Sequence, residues 1–507
     1  MLNQFFDQIY LINLAKRPNR RLTCLHQLNR LGIKIQIVEA VDGTLEPEAD
    51  RKHQLSPGEY GYILTWKKII ETAKRRNYQR ILCIDDDIWF HQNWQQLWSE
   101  FITKIRKDWT VIYLGASQHG AHKIDWHNAE RNHWYHPKST DGSFAVGLSR
   151  KAIEMLYRDF QNKQIGTVDS TMLRKITANT HERSYVAYPN LVVADLTSSD
   201  IRSSRDQAVM AQTFHWQMND YWWQKMTLPI ISVIVAAYQA ESTIWNCLLS
   251  LVNQTYPKIE IIVIDDHSQD QTWSVIEALA EKLKEQPHIN SDWPQSEWLR
   301  RIIIERQTTN KGCYAARNRG LELSKGELIA FQDADDVSLC YRLEEQARYL
   351  WQTNSLWTQC LILRTHLSQL DLSLPEQELM KTIDSRRVHR RTNNSNNYRH
   401  CCAAVLGMVT GLYRRSVFEK VGHFLELQYG ADAEFGERLL REYANVHLNS
   451  EQNVVSYLSD TGEIPEVFFK INRIMYLCHQ MTANNLTLKY PLSQRKPFCK
   501  KFDQKAE

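Results

Sequence analysis

Three carboxylates fall within four positions at Asp333-Ala334-Asp335-Asp336, directly after the apolar run Leu328-Ile329-Ala330-Phe331. A run of that size reads as a buried parallel strand, and ligands of open α/β sheets sit beyond the carboxyl ends of such strands. Like charges this close repel by roughly a few kcal/mol even at an effective dielectric near 20. A divalent cation relieves that cost, and an oxygen-only ligand set suits Mg²⁺ or Mn²⁺ better than Zn²⁺. The competing reading is that Asp335 or Asp336 caps a helix beginning near Leu339. The same device occurs a second time, where Ile81-Leu82-Cys83-Ile84 runs into Asp85-Asp86-Asp87.

The elements that must position these acids alternate along the chain. In the first half, residues 9–14 read as a strand, followed by a basic turn holding Arg17 and Arg20 and by an amphipathic helix. A strand at 33–38 leads to Val41-Asp42-Gly43, and a helix starts in Leu55-Ser56-Pro57-Gly58-Glu59 and runs to about 76. In the second half, a strand at 230–235 ends at Ala236-Ala237-Tyr238, and Ile244, Cys247, Leu248, Leu251 and Val252 keep helical spacing. A strand at 259–264 ends in Asp265-Asp266, a helix covers 272–284 and a third strand 301–305. Asn310-Lys311-Gly312 then opens a helix that carries Arg317 and Asn318. Strands alternating with helices predict α/β architecture with polar groups at successive strand ends. The GxGxxG fingerprint is missing, which argues against a dehydrogenase.

At 507 residues the chain is too long for one core, and 43% hydrophobic with 24% charged residues excludes a disordered or membrane-embedded chain. No apolar run is long enough to cross a bilayer, and residues 1–7 lack a signal-peptide layout. Ten cysteines without a CxxC pair suggest neither a disulfide framework nor a zinc site, so a cytoplasmic location is expected. The net charge of +4 is concentrated in 471–507, a tail of +5 against −1 for the remainder, and no nucleic-acid partner is expected. Such a tail can lean on anionic lipid at the cytoplasmic face of a membrane, or be a solvated end. Five arginines between 386 and 399 fit an anionic acceptor or, beside Asn393-Asn394-Ser395-Asn396-Asn397, a solvated loop. The aromatic stretch 214–225 reads as a connector packed on both halves rather than a free tether.

Leu11-Ile12-Asn13-Leu14 with Arg17 and Arg20, Leu55-Ser56-Pro57-Gly58-Glu59 with Gly61, and Asp85-Asp86-Asp87 resemble glycosyltransferase family 25. Val111 to Gly115, Gly147 to Ala152 and Val168-Asp169 fit its later blocks. The resemblance implies that Asn13, Arg17 and Asp85 bind a nucleotide sugar, that Asp85 and Asp87 engage a metal, and that Asp169 is a general base. Asp169 also reads as a helix cap before Ser170-Thr171-Met172-Leu173. One departure is Thr65-Trp66, where the family commonly has Ser-His.

Val235-Ala236-Ala237-Tyr238, Ile264-Asp265-Asp266, Asn310-Lys311-Gly312, Ala316-Arg317-Asn318, Asp333-Ala334-Asp335-Asp336 and Gly411 to Arg415 resemble inverting glycosyltransferase family 2, with Gly430-Ala431-Asp432 further on. This resemblance implies that Ala237, Tyr238, Asp266, Arg317, Asn318 and Asp335 bind the donor, Asp266 accepting from the uracil N–H. It also implies that Asp333, Asp335 and Asp336 hold Mn²⁺ or Mg²⁺ and that Asp432 is the catalytic base. Ala431 stands where a preceding acid is usual, and the late histidine of the family is not evident near Tyr457.

Together the resemblances imply two Rossmann-like GT-A domains in tandem, at 1–215 and 229–470, with a packed linker at 216–228 and the basic tail at 471–507. They imply UDP-sugar donors, a glycan or glycolipid acceptor and a bifunctional, metal-dependent, inverting transferase for surface glycans. The alternative keeps only the second half as catalyst and makes the first an acceptor-binding or structural module. A carbohydrate-binding protein without catalysis is a third reading, but binding alone gives no reason for two acid clusters at strand ends.

Overall fold

The apolar runs become strands buried on both faces. The computed structural model describes residues 1–47, 55–162, 166–197, 205–222, 227–285, 299–365, 408–427, 431–444 and 468–479. The arginine-rich stretch 386–399, the region around Tyr457 and the tail beyond 479 lie outside the described residues. The chain divides into two compact units, Met1–Thr227 and Leu228–Glu507.

The first unit is built on a seven-stranded sheet. Its strands are β1 (Gln8–Asn13), β2 (Gln36–Glu39), β3 (Arg80–Asp85), β4 (Val111–Tyr113), β5 (Trp134–Tyr135), β6 (Ala145–Ser149) and β7 (Ser184–Ala187). Their order is β2-β1-β3-β6-β4-β7-β5. β1 runs parallel to β2 and β3, β4 runs parallel to β7, and β6 lies antiparallel between β3 and β4. Helix α1 (Pro18–Arg30) follows β1, with Pro18 in its first turn, where a missing N–H costs nothing. Helix α2 (Pro57–Arg75) begins with a complete capping box: Ser56 Oγ accepts from the Glu59 N–H while Glu59 accepts from the Ser56 N–H. Gly61 on α2 and Gly43 on the preceding loop meet backbone to backbone, and a Cβ on either would collide with Val41, Pro57 or the other glycine. That contact fixes the 41–44 loop against the helix.

The stretch read from sequence as a connector is, through Trp222, part of the first unit. Trp216 and Tyr221 are buried; the Trp216 indole donates to the Ala116 carbonyl (3.1 Å) and the Tyr221 hydroxyl to the Asn190 carbonyl (2.7 Å).

The second unit carries an eight-stranded sheet. It comprises β8 (Ile231–Ala237), β9 (Lys258–Asp265), β10 (Leu299–Arg306), β11 (Leu328–Asp333), β12 (Val337–Ser338), β13 (Trp357–Thr365), β14 (Gly411–Arg414) and β15 (Phe468–His479). The order is β10-β9-β8-β11-β14-β13-β15-β12, parallel from β10 to β11 and then antiparallel at β14. Helices α3 (Ile244–Val252), α4 (Thr272–Glu285) and α5 (Cys313–Leu323) connect the parallel strands, and α6 (Arg342–Gln352) and α7 (Ala431–Ala444) follow. Ala237 is in register with Asp265, and Ala236 with Asp333, so the ends of three strands present their polar residues along one edge. The cap of α6 is Tyr341, which removes the reading of Asp335 or Asp336 as a helix cap. Cys24, Cys83, Cys247, Cys313, Cys340 and Cys360 are free thiols, and among the described residues no helix is long and apolar enough to cross a membrane.

Candidate active site

Beyond β11 the three acids turn inward together. Carboxylate oxygens of Asp333, Asp335 and Asp336 lie within 4.8 Å of one another. The turn that gathers them is held from below. The Asp336 N–H donates to the Asp333 carbonyl (3.1 Å), and the Gln332 side chain donates to the Asp336 carbonyl (3.0 Å). Arg342, fully buried, donates to Gln332 Oε1 (3.1 Å), to Ser338 Oγ (2.8 Å) and to the Phe331 and Val409 carbonyls. A buried guanidinium is tolerable only when its donors are satisfied, and here carbonyl oxygens do that while stiffening the turn. Sequence reasoning missed Arg342, because an arginine in the first turn of a helix gives no sign that it points into the core.

The donor-side residues separate into those that face outward and those that build the site. Tyr238, just past β8, is 42% exposed and offers a flat ring at the sheet edge. The Ala237 carbonyl is occupied by the Asp266 N–H (2.8 Å). Asp266 is buried, and its two carboxylate oxygens accept from the N–H groups of Lys311 (2.7 Å) and Gly312 (2.8 Å). Burial raises its pKa, with the two N–H groups opposing. Gly312 sits at φ +92°, a conformation that favours glycine, so Asp266 anchors the sharp turn that starts α5. The expected contact with a uracil N–H is therefore not the first use of this carboxylate. Asn318 departs further from expectation: its amide donates to the Phe424 carbonyl (2.9 Å) and accepts from the Phe424 N–H (3.0 Å). It clips α5 to the segment leading to α7.

Arg317 connects the two ends of the site. Its guanidinium pairs with Asp333 (2.6 Å) and lies 5.3 Å from the centre of the Tyr314 ring. Burial works most strongly against its charge, yet Asp333 together with Cys313, Tyr314 and Asp432 outweighs it and raises the pKa, so the side chain stays cationic. The Tyr314 hydroxyl in turn donates to Asp432 Oδ1 (3.0 Å). Asp432 stands in the first turn of α7, whose approach is set by Phe435 packing on Phe418 and Phe424, with Ala431 fully buried beside it. A continuous line thus runs from the acid cluster through Arg317 and Tyr314 to Asp432. Tyr314 was not singled out from the sequence; its place one helical turn before Arg317-Asn318 was the available signal.

In the first unit a cleft opens at the end of β3, lined by Lys16, Arg20, Asp42, Tyr62, Asp85 and Asp87 among others. Here each acid has its own protein partner. The Tyr62 hydroxyl lies 3.0 and 3.1 Å from the Asp85 oxygens, Asn13 Nδ2 donates to Asp86 (2.5 Å), and Arg20 pairs with Asp87 (3.1 Å). Burial, then Asp87 and Asp86, raise the pKa of Asp85; burial pushes Asp87 up to about 7 against the opposing charge of Arg20. Among the described residues Asp85, Asp86 and Asp87 are not gathered into a three-ligand group as the acids of the second cluster are. Arg17 caps α1, and its carbonyl accepts from Asn13 (3.1 Å). Asp169 acts on Asp85 electrostatically, and its Oδ1 accepts from the Ser170 N–H (2.7 Å). The cap of that turn is Thr167, so Asp169 is no helix cap. Trp66 is fully buried in the core, 6.2 Å from the Tyr62 ring, and does not line the cleft.

Residues 6–168 match the family described as glycosyltransferase family 25 (LPS biosynthesis protein), and residues 232–422 match glycosyl transferase family 2. Both resemblances seen in the sequence are borne out, and the parallel sheets with strand-end acids are Rossmann-like GT-A units. A Haemophilus influenzae protein described as an uncharacterized glycosyltransferase is 35% identical over 133 residues, 26% of this chain and 47% of that protein. The Escherichia coli UDP-Glc:alpha-D-GlcNAc-diphosphoundecaprenol beta-1,3-glucosyltransferase WfaP is 34% identical over 123 residues, 24% of this chain and 42% of its own. The chain thus spans less than half the length of these curated relatives. Among solved structures, that of S. aureus TarS 1-349 aligns with TM-score 0.33 and 20% identity, covering 49% of this chain and 60% of that one.

Proposed function

We propose that this chain, a family 25 unit followed by a family 2 unit, transfers sugars from nucleotide-sugar donors, UDP-sugars foremost, to hydroxyls of a growing surface glycan or glycolipid. The observation that carries the reading is the line Asp333–Arg317–Tyr314–Asp432, which joins a cation-ready acid cluster to a carboxylate in the first turn of α7. Asp333, Asp335 and Asp336 form an oxygen-only set that fits Mg²⁺ or Mn²⁺, which supplies neutralisation of the charge developing on a leaving diphosphate.

The chain's own residues do the rest. Tyr238 offers its exposed ring to the nucleobase, and Asp335 reaches toward the ribose. Arg317 keeps a fixed positive charge next to Asp333, balancing the acids and holding that carboxylate in place. Asp432 accepts the proton of the acceptor hydroxyl as the new bond forms on the face opposite the departing diphosphate, which inverts the anomeric centre. Tyr314 orients Asp432 by donating to one of its oxygens.

The first unit is proposed as a second transferase, with Asp85 and Asp87 toward the donor and Asp169 as base. One observation favours the other reading, an acceptor-binding or structural module: Tyr62, Asn13 and Arg20 already satisfy the three acids. The basic residues of 471–507 suit anionic head groups of a membrane face. The test is product analysis with UDP-sugars and glycolipid acceptors for the parent chain, Asp335→Asn and Asp85→Asn. Two separable losses support two activities, loss only with Asp335→Asn supports the single-activity reading, and no loss with either defeats both.

A further inference from the structure

We propose that His136, His181 and Glu182 of the first unit form a binding site for a borderline transition-metal ion, Zn²⁺ foremost, at the edge of the sheet opposite the acid-bearing cleft. The placement follows from topology. β5 is the edge strand and pairs antiparallel with β7, Tyr135 opposite Val186 and Trp134 opposite Ala187. His136 follows β5 directly, and the turn His181–Arg183 leads directly into β7. The pairing therefore sets the two imidazoles side by side, ring centres 4.6 Å apart. β7 runs parallel to β4, which pairs with β6 in the same sense as β3, so the start of β7 lies at the edge away from Asp85.

The geometry is that of ligands around an absent centre. His136 Nδ1 lies 2.9 Å from the Ser184 carbonyl, which can only accept, so Nδ1 carries the proton and the neutral ring has its lone pair on Nε2. A backbone carbonyl on the far nitrogen is the support that fixes the tautomer of a metal-bound imidazole. That Nε2 faces Glu182 Oε2 at 3.9 Å, and His181 Nδ1 faces Oε1 of the same carboxylate at 3.7 Å. Both distances are too long for hydrogen bonds. They stand close to the separation of about 3.4 Å between ligand atoms of a tetrahedral ion with bonds near 2.1 Å. One ligand atom from each residue already lies within 4.8 Å of the others, and the Glu182 side chain, 84% exposed, is free to close the remainder.

The donor set also selects the ion. Two imidazoles and one carboxylate suit Zn²⁺, whereas the all-oxygen cluster at 333–336 suits the harder Mg²⁺ or Mn²⁺. Arg183, the cation on the same turn, is drawn to Asp108 (2.7 Å). An ion here would join a two-residue edge strand to β7 through side chains as well as backbone, leaving a fourth position for water.

The test uses the full chain with excess Mg²⁺ to occupy the oxygen cluster. Zn²⁺ affinity is measured by competition with a chromophoric chelator, and Co²⁺ is substituted to read the intensity of its visible bands. The parent is expected to take up Zn²⁺ in the micromolar range or tighter and to give the strong Co²⁺ bands of four-coordination. His136→Gln and His181→Gln should each weaken the site by roughly tenfold or more. Asp335→Asn should leave it unchanged. Near-UV circular dichroism and thermal melting against the parent serve as the check that each histidine variant is folded. Folded variants with the parent's Zn²⁺ affinity, or a parent that takes up no Zn²⁺ under Mg²⁺, would overturn the assignment.

Discussion

The ends of β3 and β11 carry the same sequence device, an apolar strand opening into three aspartates, and the two units settle its electrostatic cost differently. In the second unit the oxygens of Asp333, Asp335 and Asp336 converge, and Arg317 pairs with Asp333. In the first unit Tyr62, Asn13 and Arg20 each take one acid, and the carboxyl pKa values of Asp85 and Asp87 are pushed up by burial. Clustered acids at a strand end are therefore not arranged alike in the two units. What differs is which groups the neighbouring elements bring within reach: β1, α1 and α2 bring Asn13, Arg20 and Tyr62 to the first cluster, while α5 brings Arg317 to the second.

The largest expected effect tests the catalytic end of the second unit. Asp432→Asn should lower its transfer rate by about 10³-fold, the scale of a lost general base, with UDP affinity unchanged. Turnover above a few per cent of the parent, measured with saturating donor and acceptor, removes Asp432 from that role. Next comes chelation, which bears directly on the contrast. Exhaustive EDTA should weaken UDP-sugar binding by the second unit by roughly tenfold or more, and Mn²⁺ or Mg²⁺ should restore it. The first unit should lose less, because its acids already have partners; equal losses, read by calorimetry on site variants that silence one unit at a time, would erase the distinction.

A smaller effect is expected at Tyr314. A hydrogen bond to a charged group contributes about 1.5–3 kcal/mol, so Tyr314→Phe should cost about tenfold in kcat with donor KM unchanged. The loss should fall on the chemical step, because the Tyr314 hydroxyl reaches Asp432. A variant that slows only together with a raised donor KM or a lowered melting temperature would make Tyr314 a packing residue.

Much of this arrangement was legible in the sequence, and what was not has a physical cause. Strand-end acids announce themselves because continuous apolar runs stop at charged residues, and register then forces their side chains to one edge. The sequence resemblance also placed Asp432 on a segment separate from the donor motifs. It could not show that Asn318 would be consumed by the Phe424 backbone, or that Asp266 would serve the Lys311-Gly312 turn. Those uses depend on which backbone groups would otherwise stay unsatisfied after folding, a property of the tertiary structure. The same holds for Arg342, buried under the acid turn, and for Trp66, whose departure from the family pattern lies in the core rather than in the cleft.

The smallest effect is one of stability, and it tests the first unit where it differs most from the second. In the absence of a cation, Asp87 titrates near 7, well above the value of about 3.9 for an unfolded aspartate, and Asp85 is raised as well. Between about pH 4 and pH 7 the native state then binds more protons than the unfolded one, so these groups make stability fall as pH rises. Above the native pKa the full cost is present. Asp85→Asn with Asp87→Asn removes that cost, and in EDTA at about pH 8 the double variant should melt about 2–4 °C above the parent. Near pH 3 the gain should vanish, because the carboxyls of both states are then largely protonated. Mn²⁺ should raise the melting temperature of the parent by more than that of the variant, which keeps the second cluster, if the cleft takes a cation. A variant that melts below the parent at pH 8 would mean that Arg20 and Tyr62 more than compensate the burial of these acids. The first cluster would then be a self-contained polar network, and the structural reading of the first unit would stand over the catalytic one.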